Sequence, residues 1–123
     1  MLLVVIVLGL AGTACSKSDN AGSAPTAPSA SLTVTITSAG VNPKTLVVTA
    51  GNQVTFVNND TSPHQMSSDP HPEHSDCPDL NLVGFLSPGQ SRQTGNLNTI
   101  RTCGFHDHGQ PSNASLQGSI QIR

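Results

Sequence analysis

From Leu32 onward, apolar and polar residues alternate along the chain. Leu32, Val34 and Ile36 fall on one face, with Thr33, Thr35 and Thr37 on the other. This is the period of a half-buried strand, and threonine suits such a surface. Asn42-Pro43 interrupts the pattern, and Thr45–Thr49 (TLVVT) predicts a second strand. Ala50-Gly51-Asn52 forms a turn into a third, Gln53–Asn58, with Val54 and Phe56 on the same side. The stretch from Asn59 to Asn81 is polar, with four prolines (Pro63, Pro70, Pro72, Pro78) and three histidines. It reads as a long loop and not as a central strand, because a proline has no N–H to give to a ladder. Loops of that length in small domains carry function. Leu82–Leu86, the turn Ser87-Pro88-Gly89-Gln90, a polar strand from Ser91, then Thr99–His108 and Gly118–Arg123 complete the pattern. Short strands joined by Gly, Pro and Asn turns, with no helix-period segment, predict an all-β, antiparallel sandwich or barrel.

The first 31 residues do not share this alternation. Leu2–Leu10 (LLVVIVLGL) is an apolar run with the length of a signal-peptide core, too short to span a bilayer. Ala11, Gly12, Thr13 and Ala14 precede Cys15, and small residues before a cysteine resemble the lipobox of bacterial lipoproteins. The resemblance implies that Cys15 is lipidated and becomes the mature N-terminus. Gly12 departs from the leucine of that pattern, and no Lys or Arg precedes the apolar run; an ordinary cleaved signal peptide is the alternative. With Cys15 assigned to lipid, Cys77 and Cys103 remain as an even pair, which an oxidising compartment would join as a disulfide. Residues 16–31 (SKSDNAGSAPTAPSAS) read as a flexible linker. The chain thus divides into a signal peptide (1–14), a lipidated cysteine with linker (15–31) and one folded domain (32–123). The expected location is the periplasm or cell surface, lipid-anchored to a bacterial membrane.

Composition narrows the functional classes. Only 10% of residues are charged, Trp and Tyr are absent, and the net charge is −2 with a pI near 6.1. The five basic residues (Lys17, Lys44, Arg92, Arg101, Arg123) form no cluster, which argues against a nucleic-acid partner. No Ser/His/Asp arrangement, phosphate-binding glycine loop or paired-carboxylate cleft is evident, so an enzyme is not expected.

The five histidines occupy two segments. His64, His71 and His74 lie in the long loop, and His106 and His108 lie in CGFHDHGQPS. Imidazole is the commonest metal ligand, and two His at i, i+2 of a strand share a face. The surrounding sequence resembles the cupredoxins. Val47–Asp60 (VVTAGNQVTFVNND) followed by His64 is similar to the strand–turn–strand that delivers their first copper-binding histidine. Leu86–Gln90 (LSPGQ), Phe105-His106-Asp107-His108 and Gly118–Ile122 resemble later landmarks of the same family. The resemblance implies a Greek-key β-sandwich of cupredoxin type, and copper as the cofactor. It also implies that Asp107 stands in the slot of the copper-binding cysteine, Gln110 in that of the second histidine and Leu116 in that of the axial methionine. His-Asp-His is further similar to the His-Cys-His run of multicopper oxidases, whose histidines reach toward a second metal cluster.

Three functional readings follow. The first is an exported copper-binding protein for storage, delivery or tolerance. Its expected ligands are His64, His106 and His108, joined by His71 and His74 from the overlying loop. Zinc would accept the same donors. Met66 offers a thioether or packs, Asp107 binds metal or orients an imidazole, and Asp69 caps a turn. The second reading is a type 1 copper one-electron carrier with His64, Cys103 and His106. The third is a structural β-sandwich with incidental histidines. The expected partners are a metal ion, a membrane through the lipid anchor, and a redox or copper-transfer protein.

Overall fold

The computed structural model describes residues 31–123, and the signal peptide, Cys15 and nearly all of the linker lie outside the described residues. Among the described residues, nine strands form two packed sheets: β1 (Thr33–Thr37), β2 (Gly40–Asn42), β3 (Thr45–Val48), β4 (Thr55–Asn58), β5 (His64–Ser68), β6 (Gly84–Leu86), β7 (Ser91–Gln93), β8 (Arg101–Asp107) and β9 (Gly118–Ile122). Two short 3-10 turns, Pro78–Leu82 and Ala114–Leu116, link strands. One sheet has the order β2-β1-β4-β7 and the other β3-β9-β8-β5-β6.

The β-sandwich expected from the alternation is present, but its sheets are mixed. β1 pairs with β4 and β3 with β9 in parallel, while the remaining pairs are antiparallel. The chain leaves the first sheet after the β1–β2 hairpin, lays β3 in the second, and returns so that β4 runs alongside β1. The predicted long loop also needs correction. Its proline-free piece between Pro63 and Pro70 is β5, an interior strand between β8 and β6. The prolines bracket the ladder without interrupting it, so their missing donors cost no sheet hydrogen bond.

The core lies where alternation places it. Val34, Ile36, Val54, Phe56, Met66, Leu86, Phe105 and Ile120 are fully buried between the sheets. Phe56 and Phe105 meet edge to face across the sandwich with ring centroids 5.2 Å apart. Gly118 lies opposite Phe105 on β9, and a methyl group there would overlap the Phe105 ring. Met66 packs in this core and offers no thioether to a surface metal. A Cys77–Cys103 disulfide ties the segment after β5 to β8.

Candidate metal centre

β5 carries His64 and β8 carries His106, and the pleat of the paired strands separates them. Met66 pairs with Asp107, Ser67 with His106, and Ser68 with Phe105. Cys103, Phe105 and Asp107 face the interior, as alternation predicts, so His106 faces outward. His64, two residues before Met66, shares the inner face with Asp107. The expected grouping of His64 with His106 and His108 is therefore corrected: the sheet stands between them.

His64 is held by two carboxylates. Its Nδ1 lies 2.6 Å from Asp107 Oδ2 and its Nε2 lies 3.1 Å from Asp60 Oδ2. Both ring nitrogens are therefore in contact with a carboxylate oxygen. The hydrogen bond from His64, followed by the Thr61 backbone N–H, lowers the pKa of Asp60 below the usual aspartate value. Asp107 also accepts from the Gly109 N–H at 2.8 Å. A polar cleft at this end is lined by Asp60, Ser62, His64, Gln110, Asn113 and Leu116. Asp107 bonds His64, and Gln110 and Leu116 line the same cleft, while His106 and His108 do not.

The other four histidines assemble on the outer face. After β5 the chain arches over β8 and brings His71 and His74 against His106 and His108. Ring centroids are 5.1 Å apart for His74–His106, 5.0 Å for His74–His108, 5.1 Å for His71–His108 and 5.5 Å for His71–His106. One donor nitrogen from each of His71, His74 and His106 lies within 4.8 Å of the others. Nitrogens bound tetrahedrally to one metal at 2.0–2.1 Å sit about 3.3 Å apart, so closure requires a shift of at most roughly 1.5 Å. Of the three, His71 is exposed.

The arch is held by polar contacts. His74 Nδ1 donates to the Ser68 carbonyl at 2.8 Å, which leaves Nε2 as the lone-pair nitrogen. That Nε2 lies 2.9 Å from His108 Nδ1. The His74 backbone is left-handed, with φ at 52°. Ser68 Oγ and Asn81 Nδ2 both donate to its carbonyl at 2.8 Å, fixing a conformation that a β-carbon resists. His106 Nδ1 donates to Asp69 Oδ1 at 2.6 Å. His106 Nε2 is then the one buried side-chain polar atom without a partner among the described residues. Desolvation, then the neighbouring His108, His106 and His74 rings, keep the pKa of His71 below the usual imidazole value.

A group of four imidazoles, two with Nδ1 tied to an acceptor and one with an orphaned buried Nε2, fits a transition-metal ion. Asp69 is not the turn cap expected of it, since its carboxylate orients His106. Asp107 orients His64 and no member of the cluster. The proposed type 1 ligand set of His64, Cys103 and His106 does not come together either. Cys103 is bonded to Cys77, and His64 and His106 lie on opposite faces of the sheet. Sequence reading missed Ser68 and Asn81, whose only local signal is a polar side chain beside a proline-bounded arch.

Because His64 is clamped inside, replacing it separates fold from metal binding. His64→Ala leaves a buried carboxylate without its partner, and its expected cost is about 3–5 kcal/mol. Cu(II) affinity of the remaining folded protein should stay unchanged. Urea unfolding and a Cu(II) titration check both, and a large fall in affinity would mean that His64 belongs to the metal site.

No family model matches the sequence, and no curated protein matches it. Solved structures do share its architecture. It is similar to the novel purple cupredoxin from Nitrosopumilus maritimus, with 16% identity and a TM-score of 0.58 over 74% of this chain and 98% of that one. An oxidised mutant amicyanin matches with 20% identity and a TM-score of 0.59, over 76% of this chain and 82% of that one. The oxidised plastocyanin from Dryopteris crassirhizoma matches with 20% identity and a TM-score of 0.57, over 74% and 99%. The chain therefore has the cupredoxin fold.

Proposed function

We propose that this chain is an exported copper-binding protein of cupredoxin fold, tethered to the membrane through lipidated Cys15, that stores, delivers or sequesters copper. The observation that carries the reading is the buried, unpartnered His106 Nε2 beside the rings of His71 and His74. Leaving a polar atom dry and unpaired is costly, and a metal ion would satisfy it. The ligands in this reading are His71, His74, His106 and His108.

The interior position supports the same conclusion by contrast. In this reading Asp107 takes the place of the copper-binding cysteine and Cys103 is bonded to Cys77, so the interior offers no thiolate donor. With Cys103 in a disulfide, an electron carrier based on copper–thiolate chemistry is disfavoured. An all-imidazole site suits copper, which tops the affinity order of divalent metals for nitrogen donors, and zinc is its competitor. Export, where disulfides persist, accords with the Cys77–Cys103 bond.

Titration of the full chain with Cu(II), followed by visible absorption, tests this reading. Tight binding with only weak absorption is expected. An intense visible band would indicate a thiolate ligand and sink the proposal; no binding would leave a structural sandwich with incidental histidines.

A further inference from the structure

The orientation of His106 depends on an acidic side chain that sequence reading assigned elsewhere. The geometry points to Asp69, seated on Gly104, as the residue that positions the metal centre; the inference rests on the copper reading above.

Gly104 is two residues before His106 on β8 and presents the same outer face. Asp69 follows β5 directly, and its N–H donates to the Gly104 carbonyl at 3.0 Å. This bond carries the Asp69 side chain across β8 above Gly104. A β-carbon at position 104 would overlap the Asp69 carboxylate, so the carboxylate occupies the space that glycine leaves open. From there Oδ1 accepts the His106 Nδ1 proton at 2.6 Å, a charge-assisted bond that fixes both ring orientation and tautomer. The lone pair is thereby assigned to Nε2, the buried atom without a partner.

The same residue anchors the loop. Asp76 N–H donates to the Asp69 carbonyl at 2.9 Å, so the arch bearing His71 and His74 leaves from Asp69 and returns to it. One aspartate joins the strand-borne histidine to the loop-borne pair. It touches no metal in this scheme, and it acts through His106.

The test is the Cu(II) affinity of the full chain, measured by competition with a chelator, for Asp69→Ala, Gly104→Ala and the double variant. Asp69→Ala should weaken binding about 10–100-fold, the usual range for an outer-shell partner of a ligating histidine. Gly104→Ala should produce a similar loss by expelling the carboxylate. Because both act through one contact, the double variant should be weaker than either single one by no more than about threefold. Asp69→Asn, whose amide oxygen still accepts from Nδ1, should recover most of the affinity. The electron paramagnetic resonance spectrum of bound Cu(II) should change in Asp69→Ala and revert toward the original in Asp69→Asn, which a purely structural role would not produce. Asp69→Ala adds no atoms, so the test survives if Gly104→Ala fails to fold. Unchanged affinity in Asp69→Ala, or losses that multiply in the double variant, would overturn the inference while copper binding stands. A full chain that does not bind Cu(II) overturns both.

Discussion

A chain carrying His74→Gly and His106→Ala loses tight Cu(II) binding, by on the order of 100-fold or more, since even outer-shell losses reach that size. These two imidazoles have their Nδ1 atoms tied to Ser68 and Asp69, and their Nε2 atoms are the prepared donors. His71 is exposed and His108 is held by its contact with His74, so neither can maintain the site alone. Glycine is the informative replacement at position 74, because the backbone there has φ of 52°. A β-carbon costs about 1–2 kcal/mol in that region. Its removal offsets most of the loss of two hydrogen bonds, to the Ser68 carbonyl and to His108, each worth about 1 kcal/mol. His74→Gly alone should therefore leave the stability of the metal-free protein within about 1 kcal/mol of the original while weakening copper binding. Opposite sensitivity of the two quantities marks a functional residue. A parallel fall in both, by chelator competition and urea unfolding, would mark His74 as scaffold.

Replacing Cys77 and Cys103 together by alanine should lower unfolding free energy by about 3–4 kcal/mol in a chain-entropy model. The two cysteines are 26 residues apart, and the bond closes that interval in the unfolded chain as well as in the native one. A domain of this size has a total stability of roughly 5–13 kcal/mol, so the loss is a large share of it. Both sulfurs are buried and the Cys103 side chain is fully so; shortening it to alanine adds the smaller cost of lost packing. The same bond anchors the far end of the arch carrying His71 and His74. Copper affinity should therefore fall in the variant even under conditions where it is fully folded. The denaturant midpoint measures the first effect, and chelator competition at low temperature measures the second. A change in stability below about 1 kcal/mol would show that the interval is already constrained in the unfolded ensemble.

The strands of highest alternation were legible from the sequence. The Leu32–Thr37 pattern and the TLVVT segment each follow a period of two, and β1 and β3 lie within them. β5 was not legible, because HQMSS alternates weakly and sits among prolines. Its strand state comes from pairing on both sides with β6 and β8. The same blind spot affected the site. Clustering of histidines into two segments marked a candidate metal centre, but grouping them needs to know which residues face the core. His64 and His106 differ in this respect only because of how β5 registers against β8.

Asp69 shows the limit most clearly. In Ser-Asp-Pro-His-Pro it has the local chemistry of a turn residue, and the imidazole it bonds is not its sequence neighbour His71 but His106. Its partner is 37 residues away, and contact requires a glycine at position 104. The sequence by itself determined an all-β domain, a cysteine pair and a histidine-rich segment, since alternation, parity and composition are local or additive properties. The tertiary structure alone decided that His64 is enclosed with Asp60 and Asp107 while four other histidines meet outside. The reason is the pleat: shifting one residue along a strand moves a side chain to the opposite face, and only strand pairing fixes which face is the interior.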